Sequence, residues 1–258
     1  MSIAVTTPLS IPQLLDRGFQ LFRRVLPKLL PLTVLSAAVS GLPTLLFGPQ
    51  KAATGAGLAH PGQFLGFMLI ALVINMSFLA AIIRRIDDIA EERNVLSLGE
   101  SYFGGLKVLP RLIMGMILYG LACTVGMILL LIPGFILMLS LSFFWFFIVL
   151  ENKSATDSLS SSHKLVWGHW WRWAAIYTVA LAILFALYAV FGLVAAAVAG
   201  KSAAGTAGTG LLLVQYIGQI VVSSIATPLL YSIQLIGFRD LQLRKGGDDL
   251  AARIAQAA

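Results

Sequence analysis

From Leu112 to Leu150 the chain carries no Asp, Glu, Lys, Arg or His, an uncharged run of 39 residues. That is about twice the ~20 residues one membrane-spanning helix needs. Pro133-Gly134 divides the run, and such a pair stops a helix and permits a tight turn, so two antiparallel spans are predicted. Equivalent apolar runs elsewhere bring the expected spans to six, near residues 29–48, 62–83, 112–132, 135–150, 174–199 and 211–237.

Short amphipathic segments precede these runs. Ser10 and Gln13 form a capping box, with Pro12 tolerated in the first turn. Ile11, Leu14, Leu15, Phe22, Val25 and Leu26 make one stripe, backed by Gln13, Asp16, Arg17, Gln20, Arg23 and Arg24. Ser97/Glu100 and Ser154/Asp157 repeat the capping signal. After Ser154, Leu159, Val166, Trp170 and Trp173 share a helical face, with Ser161, Lys164, Gly168 and Arg172 largely away from it. Val25-Leu26-Pro27-Lys28-Leu29 recurs almost unchanged as Val108-Leu109-Pro110-Arg111-Leu112, 83 residues on.

The expected fold is therefore an all-α polytopic membrane protein. Six transmembrane helices form three hairpins, each preceded by a cytoplasmic amphipathic surface helix, in a pseudo-threefold repeat. The units fall at about 10–83, 97–150 and 154–237 of a single membrane domain, 1–258, ending in a short cytoplasmic tail at 239–258.

Charge fixes the expected orientation. Hydrophobic residues make up 59% of the chain and charged ones 11%, against about 25% charged in soluble domains. No alternating ten-residue strand pattern of a β-barrel is visible. The net charge is +7, yet with the N-terminus in the cytoplasm 16 of the 18 Lys and Arg and all 11 acids fall on that side. Only Lys51 and Lys201 fall outside. This is the positive-inside bias of an inner-membrane protein, not the footprint of a nucleic-acid binder. The first apolar run follows a basic amphipathic segment and should stay as an uncleaved span. Arg17, Arg23, Arg24, Trp170, Trp171 and Arg172 are the expected lipid-interface residues, with membrane lipids, anionic ones included, as partners. A membrane-protein partner or a second copy would add to these.

Candidate chemistry is sparse. In the last span Gln215, Gln219, Ser223, Thr227 and Tyr231 recur every four residues. Such a stripe must face protein or water, not lipid. It either joins helices or lines a polar cavity, with Asn75 of the second span a candidate partner. The lone Cys123 excludes a disulfide framework and reads as packing. Asp87-Asp88 and Glu91-Glu92 lack His or Cys partners for a metal, and His163 and His169 are not on one face. His60 reads as a surface histidine. The glycines at 205, 208 and 210 follow no strand and read as a loop rather than a dinucleotide site. No catalytic, cofactor or metal residue is expected, and no enzyme activity. Apart from tyrosines and Cys123 the spans hold no ionisable group, which argues against proton-coupled carriers and voltage sensors.

The series Ile132-Pro133-Gly134, Glu151, Ala155, Ser158, Ser162, Trp167-Gly168 and Trp171-Arg172 resembles the YciC-type family of bacterial inner-membrane proteins. It is also similar to the membrane domain fused to glycerophosphodiester phosphodiesterases. The resemblance implies a multi-pass inner-membrane protein. The chain has no room for the phosphodiesterase domain, so no hydrolase activity follows, and no functional residue is inherited. Two functions remain open. One is a non-enzymatic protein of envelope or lipid homeostasis, or a scaffold for other membrane proteins. The other is a transporter or lipid-translocating protein with a neutral polar cavity lined by the last span.

Overall fold

The computed structural model describes residues 5–47, 61–95, 97–201 and 207–257, and all regular structure among them is helical. In chain order the helices are α1 (Ile11–Phe47), α2 (Pro61–Ala90), α3 (Leu98–Leu129), α4 (Leu131–Ser140), α5 (Phe144–Leu150), α6 (Ala155–Val166), α7 (Trp170–Lys201) and α8 (Ala207–Ala257). Among the described residues six segments are long and apolar enough to cross a membrane: Ile11–Pro43, Phe64–Ala90, Leu98–Leu129, Leu131–Leu150, Trp170–Ala197 and Leu212–Asp248. Residues 48–60, with Lys51 and His60, lie outside the described residues, as does Gly205.

All three capping signals are made. Ser10 N–H donates to Gln13 Oε1 at 2.9 Å and Gln13 N–H to Ser10 Oγ at 3.4 Å. Ser97 accepts from Glu100 N–H at 3.2 Å while Glu100 reaches back to Ser97 N–H at 2.9 Å. Ser154 Oγ accepts from Asp157 N–H at 3.2 Å. Each bond satisfies a backbone donor that the first helical turn leaves open.

Beyond the caps, the structure departs from the sequence expectation. The amphipathic segments at Ser10 and Ser97 do not form separate surface helices; each runs straight into its apolar span. In α1 the buried seam is Leu14, Leu21, Val25, Leu29 and Leu32. In α3 it is Ser101, Gly105, Val108, Leu112 and Gly115. Both seams advance by threes, fours or their sum and pass unbroken beside Pro27 and Pro110, which lie on the exposed faces. An interior proline costs about 3 kcal/mol, whereas each buried Leu or Val contributes about 1.5–3 kcal/mol. The seam outweighs the proline. The two matching pentapeptides thus place equivalent residues, Val25/Val108 and Leu29/Leu112, in equivalent seam positions.

Only the third unit breaks. α6 ends at Val166, with Trp167 as its extended cap, and Gly168 at φ +95° turns the chain into α7 in a backbone region that a side chain would disfavour. The turn expected at Pro133-Gly134 lies instead at Leu130, extended at φ −163° and ψ 139°. Pro133 sits in the first turn of α4, where its missing N–H costs nothing. Gly134 packs on α3: a Cβ there would stand 2.8 Å from Met127 N. The charged end, expected as a tail from 239, continues as helix to Ala257.

The fourth apolar segment is itself interrupted over Leu141–Phe143, between α4 and α5. Ser162 of α6 repairs the break. Its Oγ donates to Ser140 O at 2.8 Å and accepts from Phe143 N–H at 3.0 Å. Trp173 Nε1 donates to Ser142 Oγ at 3.0 Å. Backbone groups freed inside an apolar core need such partners. Phe143, Phe144, Phe146, Ile148 and Trp173 are fully buried around this point, and Phe143, Phe146 and Trp173 form, with Phe238, the aromatic centre of the molecule.

Candidate functional site

Two polar constellations stand out, one within the bundle and one at its charged end. The first is a cleft of about 300 Å³ between α1, α2, α7 and α8. Ser36, Asn75, Tyr188, Thr227 and Tyr231 are its polar lining, set among aliphatic side chains. Asn75 Oδ1 accepts from Ser36 Oγ at 3.1 Å and Ser40 Oγ at 2.8 Å, and its Nδ2 donates to Ala71 O at 2.8 Å. The amide thus ties α2 to α1. Of the partners expected for it on the last span, Thr227 and Tyr231 share its cleft, while Gln219 and Ser223 turn toward other neighbours.

The stripe on α8 divides among neighbours. Gln219 faces α1, its Oε1 3.5 Å from where a Cβ on Gly41 would lie. The hydroxyls of Ser223 and Tyr188 of α7 stand 3.2 Å apart. Thr227 and Tyr231 border the cleft, and Gln215 is half-buried. Tyr216, which the stripe did not include, donates to Ala38 O at 3.1 Å.

The second constellation centres on Asp240, whose side chain is fully buried. It accepts from Leu9 N–H at 2.7 Å, from Arg172 Nε at 3.2 Å and Nη2 at 3.1 Å, and from Arg244 Nε at 3.0 Å. Arg244 Nη2 also donates to Leu9 O at 2.7 Å, as does Arg172 Nη2. A buried carboxylate without such partners would be costly. Next to it Arg239 pairs with Asp87 and Glu91, and Arg93 pairs with Asp87 and, at 3.1 Å, with Asp88. This network clamps the N-terminal segment, α2, α7 and α8 together.

The interface residues separate accordingly. Arg172 does not face lipid, because Asp240 engages its guanidinium. Arg23 is exposed, Arg24 lies 3.7 Å from Glu92, and Arg17 is half-buried. Trp171 is 82% exposed, while Trp170 is half-buried and donates to Ile136 O at 3.4 Å. Asp240 was missed in the sequence because it reads as tail. Its signal is register: it falls four and seven residues after the buried Ile236 and Ile233, on the face that packs. Among the described residues, no group of three or more His, Cys, Asp or Glu could hold a metal ion. His169 Nε2 lies 3.9 Å from Asp248, and His163 packs on Trp167.

The six apolar segments and the charges gathered at one end of the bundle define a multi-pass helical membrane protein. Residues 103–238, more than half of the chain, match the family described as Domain of unknown function (DUF7847), and the chain belongs to that family. The match runs from α3 to the charged end of α8. No curated protein matches the chain, and no solved structure does.

Proposed function

We propose that this is a non-enzymatic protein of the bacterial inner membrane, acting in envelope or lipid homeostasis or as a scaffold for other membrane proteins. The observation that supports this reading is Asn75. The most polar group facing the cleft is already occupied by Ser36, Ser40 and Ala71, so it joins helices instead of awaiting a solute. The cleft's 300 Å³ also stands at the lower edge of ligand-pocket sizes. Membrane lipids are the partners, with Arg23 and the exposed Trp171 at the head-group level. The 16-to-2 split of basic residues supports a cytoplasmic position for both termini. The likeness to the YciC-type family points the same way.

The alternative is a transporter or lipid-translocating protein, favoured by Thr227, Tyr231 and Tyr188 bordering that cleft. Cysteines at positions 219 and 223 in a Cys123→Ala background decide between the two. Protection of both from a small water-soluble maleimide is expected, with Gln219→Leu changing stability by no more than about 0.6 kcal/mol. Labelling at either position, together with loss of cellular function in a folded Gln219→Leu protein, would establish the pathway instead.

A further inference from the structure

The uncharged stretch Leu112–Leu150 is long enough for two crossings, yet its contacts place it at one end of the bundle. Ser142 accepts from Trp173, and Trp173 packs on α8 where a Cβ on Gly237 would stand 2.5 Å from the ring. Phe143, Phe146 and Phe147 gather round Phe238 at centroid distances of 5.6, 5.4 and 5.0 Å. The next two residues of α8, Arg239 and Asp240, carry the ion pairs. Ser142 therefore lies at the charged end.

Helix rise then limits how far the α3–α4 tip can reach. Leu131 is 11 residues from Ser142, so at 1.5 Å per residue it lies at most about 17 Å from that level. From Gly237 to Leu212 is 25 residues of α8, or about 37 Å. The tip stops about 20 Å or more short of the uncharged end of α8. Its contacts place it lower still. Trp170 donates to Ile136 O, and Ile132, Phe135 and Ile136 join Trp167, Trp170 and Trp171 around a nearly wholly apolar cleft of about 340 Å³. The neighbouring Arg172 holds Asp240 and Leu9. In a hairpin that crossed the membrane, Ile132 and Trp171 would stand on opposite sides of a core about 30 Å thick.

We propose that α3 and α4 form a re-entrant hairpin, entering and leaving the membrane on the side of the charged network, while α1, α2, α7 and α8 cross. The exposed hairpin face and the tryptophan-walled cleft take the acyl chains of that leaflet. The face holds no charge from Leu112 to Leu150 and exposes Ile117, Leu121, Val125, Ile128 and Ile132. Within each helix the backbone groups pair with one another, as a lipid-facing segment requires, and at the tip Leu130 N–H donates to Gly126 O and Gly134 N–H to Leu130 O. Tryptophan is the side chain favoured where acyl chains meet head groups.

Four crossings and six leave the termini on the same side, so terminal reporters do not distinguish them; the tip does. In full-length protein in native membranes, with Cys123→Ala, the pair Ile132→Cys and Trp171→Cys should be joined by a short bifunctional maleimide. No cross-link, with each cysteine reacting singly, would overturn the hairpin. If the double variant fails to accumulate, Leu131→Cys serves alone. It should resist an impermeant maleimide added outside intact cells under conditions that label Gly62→Cys; external labelling of residue 131 sinks the proposal. For the lipid contact, phospholipids brominated on the acyl chain should quench the reconstituted protein's tryptophan fluorescence, and measurably less after Trp171→Phe. Equal quenching in the two proteins would refute acyl-chain occupancy of the cleft.

Discussion

At the scale of single residues, two polar side chains organise the charged end. Asp240 gathers two guanidinium groups and the Leu9 amide at a position closed to solvent. Asp240→Asn keeps the shape and removes the charge, leaving both arginines without their carboxylate. A loss on the order of 3 kcal/mol is expected, read as a lower midpoint in thermal unfolding of the detergent-solubilised protein. Arg23→Gln, on the exposed face of α1, should shift the same midpoint by no more than about 0.5 kcal/mol equivalent. Ser162 serves two backbone groups at the α4–α5 break. Ser162→Ala strands Phe143 N–H in the core and should cost about 1–3 kcal/mol. A midpoint equal to wild type would show that the break finds other partners.

At the scale of elements, close helix contact depends on positions without side chains. Gly134 lets α4 lie against Met127 of α3. Gly134→Leu should push the hairpin open, costing about 1–3 kcal/mol from overpacking, and should speed proteolysis within 125–140. The Gly120→Leu control has open space around its Cβ and should behave as wild type. Much at this scale was legible in the sequence. The three N-caps, the apolar runs and the proline-bearing repeat are patterns over a few neighbouring residues. The continuity of α1 and α3 through Pro27 and Pro110 was not. A proline's local cost is visible from sequence, but the buried seam that offsets it is known only when the opposing helices are in place. Ser158 and Ser162 are a similar case: they stand in the sequence only as members of the series that carries the family resemblance, yet they lie buried, and Ser162 completes a neighbour's backbone.

At the scale of the molecule, charge and apolar length settle the class, and an even number of crossings would place both termini together. A fluorescent cytoplasmic reporter fused after residue 258 should be active and a periplasmic one inactive; the reverse result would overturn the cytoplasmic placement. The candidate site was legible in part. Asn75, Ser223, Thr227 and Tyr231 came from the cost of polar groups in hydrocarbon, which forces them toward protein. Their division among α1, α2 and α7 did not, since a four-residue spacing specifies a winding stripe without naming what lies opposite.

The sequence by itself determined that this chain is helical and membrane-bound, where the three capped helices begin, and which end of the bundle carries the charge. Each follows from hydropathy and capping, whose physics acts within a turn or two of helix. The tertiary structure alone decided that Asp240 holds Leu9, 231 residues away, and draws Arg172 from the lipid interface. It alone brought Trp170 to Ile136 and so the hairpin tip back to the charged end. Such contacts join distant segments, and burial and ion pairing choose among the partners that folding brings within reach.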